Sequence, residues 1–311
     1  MKLLILGAGG IGGYVGGRLV QAGADVSFLV RPARQAQLAA NGLVIQSIKG
    51  DAVLSVNALR RDQLDPNFDL VLLTCKAYDL DDALAALAPA MAGHAAILPL
   101  LNGVAHLATL NQRYGSARVL GGVAKIAVTL TAEGVIRHLN DFCYLSFGEQ
   151  NGQPSARTAT LKALLDKTDV KAALATDIQR ELWLKLVHLH TIAAMSSLLR
   201  ANVGEILRTP DGAALFMQML DTNLEIARRE GHVPDEAFIA NCRAMFSNPA
   251  SNYEASLARD IERGGPVEAD HILGDMLAFC RKHGLDDRLH ALAYTGAKAY
   301  EVRRAAQRLP R

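Results

Sequence analysis

The chain is poor in cysteine, in aromatic residues and in charge of one sign. Only four cysteines occur among 311 residues: Cys75, Cys143, Cys242 and Cys280. They are widely spaced and form no C-x-x-C, which argues against a thiolate zinc site and a disulfide framework. Aromatic side chains make up 5% of the chain, with one Trp, while Ala and Leu dominate. That balance favours helices over a β-sandwich. Thirty-three basic residues oppose thirty-one acidic ones, interspersed as in Arg180-Glu181 and Arg228-Arg229-Glu230. Without a broad basic field, nucleic acid is not an expected partner. No run of about eighteen apolar residues is free of charge, so no membrane span is expected. The apolar run Leu3 to Leu6 is too short for a signal-peptide core, and a cytoplasmic location is the expectation.

Half of the residues are hydrophobic and 21% are charged, the composition of a folded chain with a large core. Domains of about 100–200 residues imply two. The first half alternates strand and helix patterns. Apolar runs at Lys2–Leu6, Val26–Val30, Asp69–Thr74 and Ala95–Leu100 have strand length. Helical spacing covers Ile11–Ala22 and Leu80–Met91, and Asp79, Asp81 and Asp82 are expected to cap the second of these. This β-α-β order predicts a parallel sheet covered by helices. Leu43–Ile48 and Val53–Val56 predict an inserted hairpin. Val123–Leu130, Val135–Leu139 and Cys143–Phe147 are expected to close the domain edge. The second half is helical throughout: Asp177–Leu207, Ala213–Glu230, Glu236–Phe246, Tyr253–Arg263, Glu268–His283 and Arg288–Arg304. The fold class is therefore an α/β Rossmann-type N-terminal domain with a parallel sheet, residues 1–175, plus an all-α C-terminal domain, residues 176–311.

Directly after the first strand comes Gly7-Ala8-Gly9-Gly10-Ile11-Gly12, and a helix follows. In a G-x-G-x-x-G the first glycine makes the tight turn. The second lets a pyrophosphate approach the backbone, and the third lets helix and strand pack closely. The helix N-terminus adds N–H groups and partial positive charge. Gly7, Gly9, Gly10, Ile11 and Gly12 are thus the expected dinucleotide cradle, although a ligand-free Gly-rich turn would also fit the motif alone. At the tip of the second strand an NAD-selective site usually carries Asp or Glu. Here the sequence reads Leu29-Val30-Arg31-Pro32, with Arg34 just beyond. A guanidinium pairs with a 2′-phosphate, so Arg31 predicts NADP(H). Lys76 and Asn102 follow two further strands. Lys76 is placed for cofactor phosphate and Asn102 for nicotinamide ribose or substrate, since ligands of open α/β sheets lie beyond the strand C-termini.

In the second half, Lys185 interrupts the apolar stripe of Glu181-Leu182-Trp183-Leu184-Lys185-Leu186. Ser256 and Asp260 are one helical turn apart, and Glu268 follows the Gly264-Gly265-Pro266 break. A Lys at such a position also fits a snorkelling surface side chain. His188 and His190 project about 200° apart on a helix and cannot share one metal ion. No metal site is expected.

In this order, GAGGIG, the Lys at the third strand tip, LNG, ELWLKL, VGEIL and S-x-x-x-D with a later Glu resemble the ketopantoate reductases (2-dehydropantoate 2-reductases) across the whole chain. The resemblance implies NADPH as reductant, a small 2-oxo acid or ketone as partner and, by the family name, a place in pantothenate biosynthesis. A homodimer is left open. It further implies that Lys185 is the general acid and that Glu268 orients substrate and cofactor groups. Ser256 would bond the substrate carboxylate or hydroxyl, and Asn102 would lie against nicotinamide and substrate. Burial brings a Lys pKa towards working pH, although a neighbouring Glu opposes that shift.

Two departures stand out. Typical members carry asparagines four and eight residues after the lysine, where this chain has Leu189 and Ala193. The nearest polar groups on that face are Ser196, an expected substrate contact, and His188. A site that loses two amides loses discrimination for a hydroxylated substrate, which predicts a bulkier or more apolar 2-oxo acid or related ketone. The same loss leaves open a non-catalytic NADP(H)-binding sensor, and an opine or hydroxy-acid dehydrogenase fits the remaining residues.

Overall fold

The computed structural model describes residues 1–309. The chain divides into two compact units. One comprises Met1–Leu101 with His106–Glu181, and the other comprises Asn102–Ala105 with the chain from Leu182 onward. The division falls between Glu181 and Leu182, inside a helix, and the short Asn102–Ala105 segment groups with the C-terminal unit.

In the N-terminal unit, β1 (Lys2–Leu6), β2 (Asp25–Leu29), β5 (Asn57–Leu59), β6 (Leu70–Leu73) and β7 (Ala96–Pro99) form an all-parallel sheet in the order β5-β2-β1-β6-β7. Strands buried on both faces read as continuous apolar runs, which is why LLI and LVLL are uninterrupted. The helices are α1 (Gly10–Gln21), α2 (Pro32–Asn41), α3 (Leu80–Met91), α4 (Ala105–Tyr114) and α5 (Ala156–Leu165). Pro32 starts α2, where its fixed φ and missing N–H cost nothing.

A second sheet holds β3 (Leu43–Gln46), β4 (Ala52–Leu54), β8 (Leu120–Leu130), β9 (Val135–Glu149) and β10 (Lys171–Leu174). The β3–β4 hairpin is antiparallel, as the sequence predicts. The expected edge strands differ. They do not extend the first sheet. Val135–Leu139 and Cys143–Phe147 merge into the single strand β9, which pairs with β8, β3 and β10. An isolated Ile97–Val119 bridge links the start of this ribbon to β7. Helix α1 lies between the sheets. Gly16 abuts Ile5 and Phe28 of the first, while Gly13 and Gly17 abut Ile136, Ile45 and Leu43 of the second.

The C-terminal unit is built around α6 (Ile178–Leu199), with α7 (Val203–Leu207), α8 (Gly212–Arg229), α9 (Glu236–Met245), α10 (Ser256–Glu262), α11 (Asp275–Lys282) and α12 (Arg288–Ala305). α6 is long and apolar enough to cross a bilayer, yet 67% of its most apolar window is buried inside the protein. Its hydropathy is that of a core helix. The expected single helix Asp177–Leu207 is broken at Arg200, which adopts φ +54°. Asn202 then caps α7 by accepting from the Glu205 N–H, while Glu205 reaches back to the Asn202 N–H. The expected helix from Glu268 opens with one π turn, Asp270–Gly274, before α11. Such wide turns recur at functional positions.

Candidate active site

β1 runs into Gly7, whose φ of +97° belongs to the left-handed region that glycine occupies without strain. Its N–H bonds the Leu29 carbonyl at 3.0 Å, fixing the loop across the tip of β2. Gly9 is the N-cap of α1, and a methyl group added there would meet nothing within 4 Å. A ligand can therefore reach the backbone at this point. The Gly13 N–H bonds the Gly9 carbonyl at 2.9 Å, leaving the Gly10, Ile11 and Gly12 N–H groups ahead of the helical ladder. No acidic residue stands in this first turn. A methyl at Gly12 would overlap the Gly7 carbonyl and the Thr74 hydroxyl, which itself donates to Leu6 O at 2.7 Å. Clear space, oriented N–H groups and an unopposed helix dipole suit a pyrophosphate. The residues present thus fit a dinucleotide.

Arg31 caps α2 and its side chain is 75% exposed at the tip of β2. Its guanidinium meets Asp79 Oδ1 at 3.0 Å. Asp79 occupies the N-cap of α3 but makes no side-chain cap there, so the expected capping role gives way to an ion pair. Lys76 immediately precedes the 3-10 turn Ala77–Asp79, beyond the C-terminal end of β6. The strand order therefore sets Arg31, Asp79 and Lys76 at the same edge of the sheet. An exposed pair is worth only about 0–1 kcal/mol, so Arg31 can exchange Asp79 for a phosphate at little cost. Arg34 was the less prominent arginine in the sequence, yet it touches the glycine loop itself. Its Nε donates to Ala8 O at 3.1 Å and its Nη1 to Gly134 O at 3.0 Å. Burial lowers its pKa. Its only signal in the sequence is its place one helical turn after Arg31.

In the C-terminal unit, half-buried Lys185 on α6 donates from Nζ to Asn102 Oδ1 at 3.0 Å. The segment after β7 and the α6 helix are thereby joined through two of the expected site residues. Glu268 is 6% exposed and lies two residues before the π turn. Gly103, with φ +83°, packs against the His271 backbone of that turn. Ser256 is the first residue of α10 and is half-buried. Leu189, one turn beyond Lys185, is half-buried and packs on the helical core, while Ala193 is wholly inside. Ser196 differs from the expected substrate contact. It is fully buried, donates to Ile192 O at 2.6 Å and accepts from the Ala255 N–H at 3.4 Å. Its hydroxyl ties α6 to the start of α10.

His188 lies three residues after Lys185, and its Nε2 is 3.0 Å from the Tyr253 hydroxyl. Burial raises the Tyr253 pKa, so this phenol keeps its proton. Sequence reasoning placed Tyr253 inside a helix. It sits instead in the segment before α10, and no local pattern marks its partner. His190 is fully buried and stacks on His290, ring centroids 4.9 Å apart. His290 Nε2 meets Asn223 Oδ1 at 2.9 Å. The two histidines of H-x-H thus enter different surroundings.

Residues 3–152 match the family model described as Ketopantoate reductase PanE/ApbA, and residues 177–301 match that of its C-terminal region. An uncharacterized oxidoreductase of Bacillus subtilis, YkpB, is 30% identical over 302 residues, 97% of this chain and 99% of its own. The crystal structure of a PanE/ApbA family ketopantoate reductase from Ralstonia eutropha has a TM-score of 0.86 at 27% identity, covering 98% and 100% of the two chains. The ternary structure of a D-mandelate dehydrogenase with NADH and anilino(oxo)acetate shares the fold, with a TM-score of 0.87 at 20% identity and coverage of 98% and 99%. A glycine cradle after β1, a Lys–Asn pair on a helical unit and family matches over both halves lead to one assignment: this chain belongs to the ketopantoate reductase family of nicotinamide-dependent oxidoreductases.

Proposed function

We propose that this protein is a cytoplasmic NADPH-dependent reductase of a 2-oxo acid with an apolar side chain, in which Lys185 protonates the nascent alkoxide. The observation that carries this reading is the Lys185–Asn102 hydrogen bond on a helix whose next turn presents Leu189. Bound NADPH supplies the hydride. Reduction of a ketone builds negative charge on its oxygen, and a held ammonium both stabilises that charge and delivers a proton. Asn102 fixes the lysine rotamer through its amide oxygen. Glu268, buried at the mouth of the π turn, orients the polar groups around the ammonium, and the Ser256 hydroxyl takes the substrate carboxylate.

Arg31 and Lys76 support NADP(H) over NAD(H), as two cations at strand tips where a carboxylate would repel a 2′-phosphate. Leu189 and Ala193 support an apolar substrate over ketopantoate. A hydroxyl buried against them would lose its hydrogen bonds, at a cost of about 1–3 kcal/mol. The test is NADPH oxidation measured across a panel of 2-oxo acids, with Lys185→Ala in parallel. The variant should lose about a thousandfold in kcat and bind NADPH within about twofold of the parent. Folded protein that binds NADPH but reduces no 2-oxo acid would refute the reading, as would a Lys185→Ala enzyme of undiminished rate.

A further inference from the structure

Four aromatic rings follow one another through the C-terminal unit. Phe216 and Phe246 are fully buried and stacked, with centroids 5.4 Å apart and planes inclined by 14°. His188 stacks on Phe246 at 5.2 Å and 24°. Tyr253 stacks on His188 at 5.8 Å and 26°. The series starts in the core and ends at Tyr253, which is 38% exposed.

The terminal ring is held from several sides. Its hydroxyl is hydrogen-bonded to His188 Nε2, and Cys242 Sγ lies 3.9 Å from the other ring nitrogen of that histidine. The Tyr253 carbonyl accepts from the Val203 N–H at 3.0 Å, and its own N–H donates to Ser251 Oγ at 3.2 Å. A ring fixed before binding loses little entropy when a second ring stacks on it.

Its location is what gives this surface a use. His188 is the i+3 neighbour of Lys185 on α6, with Cβ atoms about 5–6 Å apart in such pairs. Tyr253 lies three residues before Ser256. The aromatic series therefore passes through the residue one helical turn from the proton donor and ends in the segment that leads into Ser256, the hydroxyl assigned to the substrate carboxylate. Leu189, the i+4 neighbour of Lys185, adds an apolar flank.

We propose that Tyr253, braced by His188, is a stacking platform for the substrate, so that this protein selects 2-oxo acids with an aromatic ring at, or one carbon beyond, the 2-oxo group. This inference rests on the reductase reading above. Offset or edge-on ring pairs gain beyond their buried area, enough for about a tenfold preference. The side chain of ketopantoate has no ring to offer, whereas Tyr253 offers a π-face to an aryl ketone.

The experiment compares phenylglyoxylate and phenylpyruvate with 3-methyl-2-oxobutanoate and ketopantoate, using the full chain saturated with NADPH. The expected aryl-to-alkyl ratio of kcat/KM is about ten or more. Tyr253→Phe keeps the ring and should keep the ratio above about five, while Tyr253→Leu should bring it to within about twofold of unity. Thermal melting of each variant separates loss of fold from loss of platform. Equal use of aryl and alkyl substrates, or a preference that survives Tyr253→Leu, overturns the proposal. Calorimetric titration of phenylglyoxylate into the NADPH-loaded protein distinguishes the two readings. Binding that Tyr253→Leu abolishes, without NADPH oxidation, upholds the platform and refutes the reductase. Neither binding nor turnover overturns the platform.

Discussion

Gly9 and Gly12 stand three residues apart in one loop, and the structure gives them opposite sensitivities. At Gly9, φ is −88° and ψ −155°, a conformation open to alanine, and a methyl meets no neighbour within 4 Å. Alanine there forfeits a preferred N-cap residue, about 0.5–1 kcal/mol, and recovers about 0.4–1 kcal/mol by restricting the unfolded chain. The two effects nearly cancel. Gly9→Ala should melt within about 2 °C of the parent, since 1 kcal/mol moves a melting point by about 2–4 °C in a chain of 150–250 residues. Its methyl fills the approach to the pyrophosphate, however, and NADPH affinity should fall at least tenfold, or about 1.4 kcal/mol. At Gly12 the methyl overlaps the Gly7 backbone oxygen and the Thr74 hydroxyl. Neither is the loose end of a flexible side chain, because Thr74 is held by Leu6 O. Overpacking of this kind costs about 1–3 kcal/mol, occasionally more, and the helix-propensity gain of about 1 kcal/mol offsets only part. The Gly7 oxygen is backbone, which puts the cost at the upper end, so a net loss of about 2 kcal/mol should melt Gly12→Ala about 4–8 °C lower even without cofactor. Differential scanning fluorimetry with and without NADPH, plus a fluorescence titration, reads both quantities. The reasoning fails if Gly9→Ala binds NADPH like the parent, or if it melts as low as Gly12→Ala.

Two further predictions follow from the charges. Arg31→Ala should reduce the NADPH/NADH preference by about tenfold or more, as expected for loss of a charge-assisted contact of about 1.5–3 kcal/mol. Asp79→Asn should raise that preference by removing the competing carboxylate 3.0 Å from Arg31, and cofactor KM values compared across both variants give the answer. The stacked His190–His290 pair should make the protein acid-sensitive. Burial drives His190 well below its ordinary pKa and His290 down to about 4. Both are neutral when folded, whereas the unfolded imidazoles take up protons below about pH 6.5. Stability is therefore fully present above that pH and declines as pH falls towards 4, by roughly 3 kcal/mol for His290 alone. Urea unfolding at pH 7.5 and pH 5 should show the loss, and His190→Leu should reduce it while leaving the His290 share; an unchanged pH dependence in that variant would show that His190 is not a source of it.

Much of the N-terminal unit is legible in the chain. Leu3 to Ile5 and Leu70 to Leu73 are continuous apolar runs because their strands are covered on both faces. GAGGIG also fits its conformation residue by residue, with a positive φ at Gly7, open space at Gly9 and no room at Gly12. The pairing of the second sheet was not legible beyond its β3–β4 hairpin. Its pairings join β3 to β9 and β9 to β10 across long stretches of chain, and no local period encodes which edge a strand will find. Helices α2, α4 and α5 bury few side chains, Leu38 alone in α2, so their sequences carry little hydrophobic signal. The break at Arg200 lies in an otherwise helical sequence and depends on the α7 capping box.

By itself the sequence determined the glycine turn after β1, the α/β and helical parts of the architecture and the place of Lys185 on a helix. These depend on residue type and on spacing along a single strand or helix, and local chemistry is sufficient to specify them. Only the tertiary structure decided which groups those residues meet. It paired Arg31 with Asp79, held Arg34 against the glycine loop and turned Ser196 inward to brace α10. It also stacked Tyr253 on His188, 65 residues away in the chain. Contacts at that separation arise from packing two elements around a shared core, and the sequence carries them only through the fold.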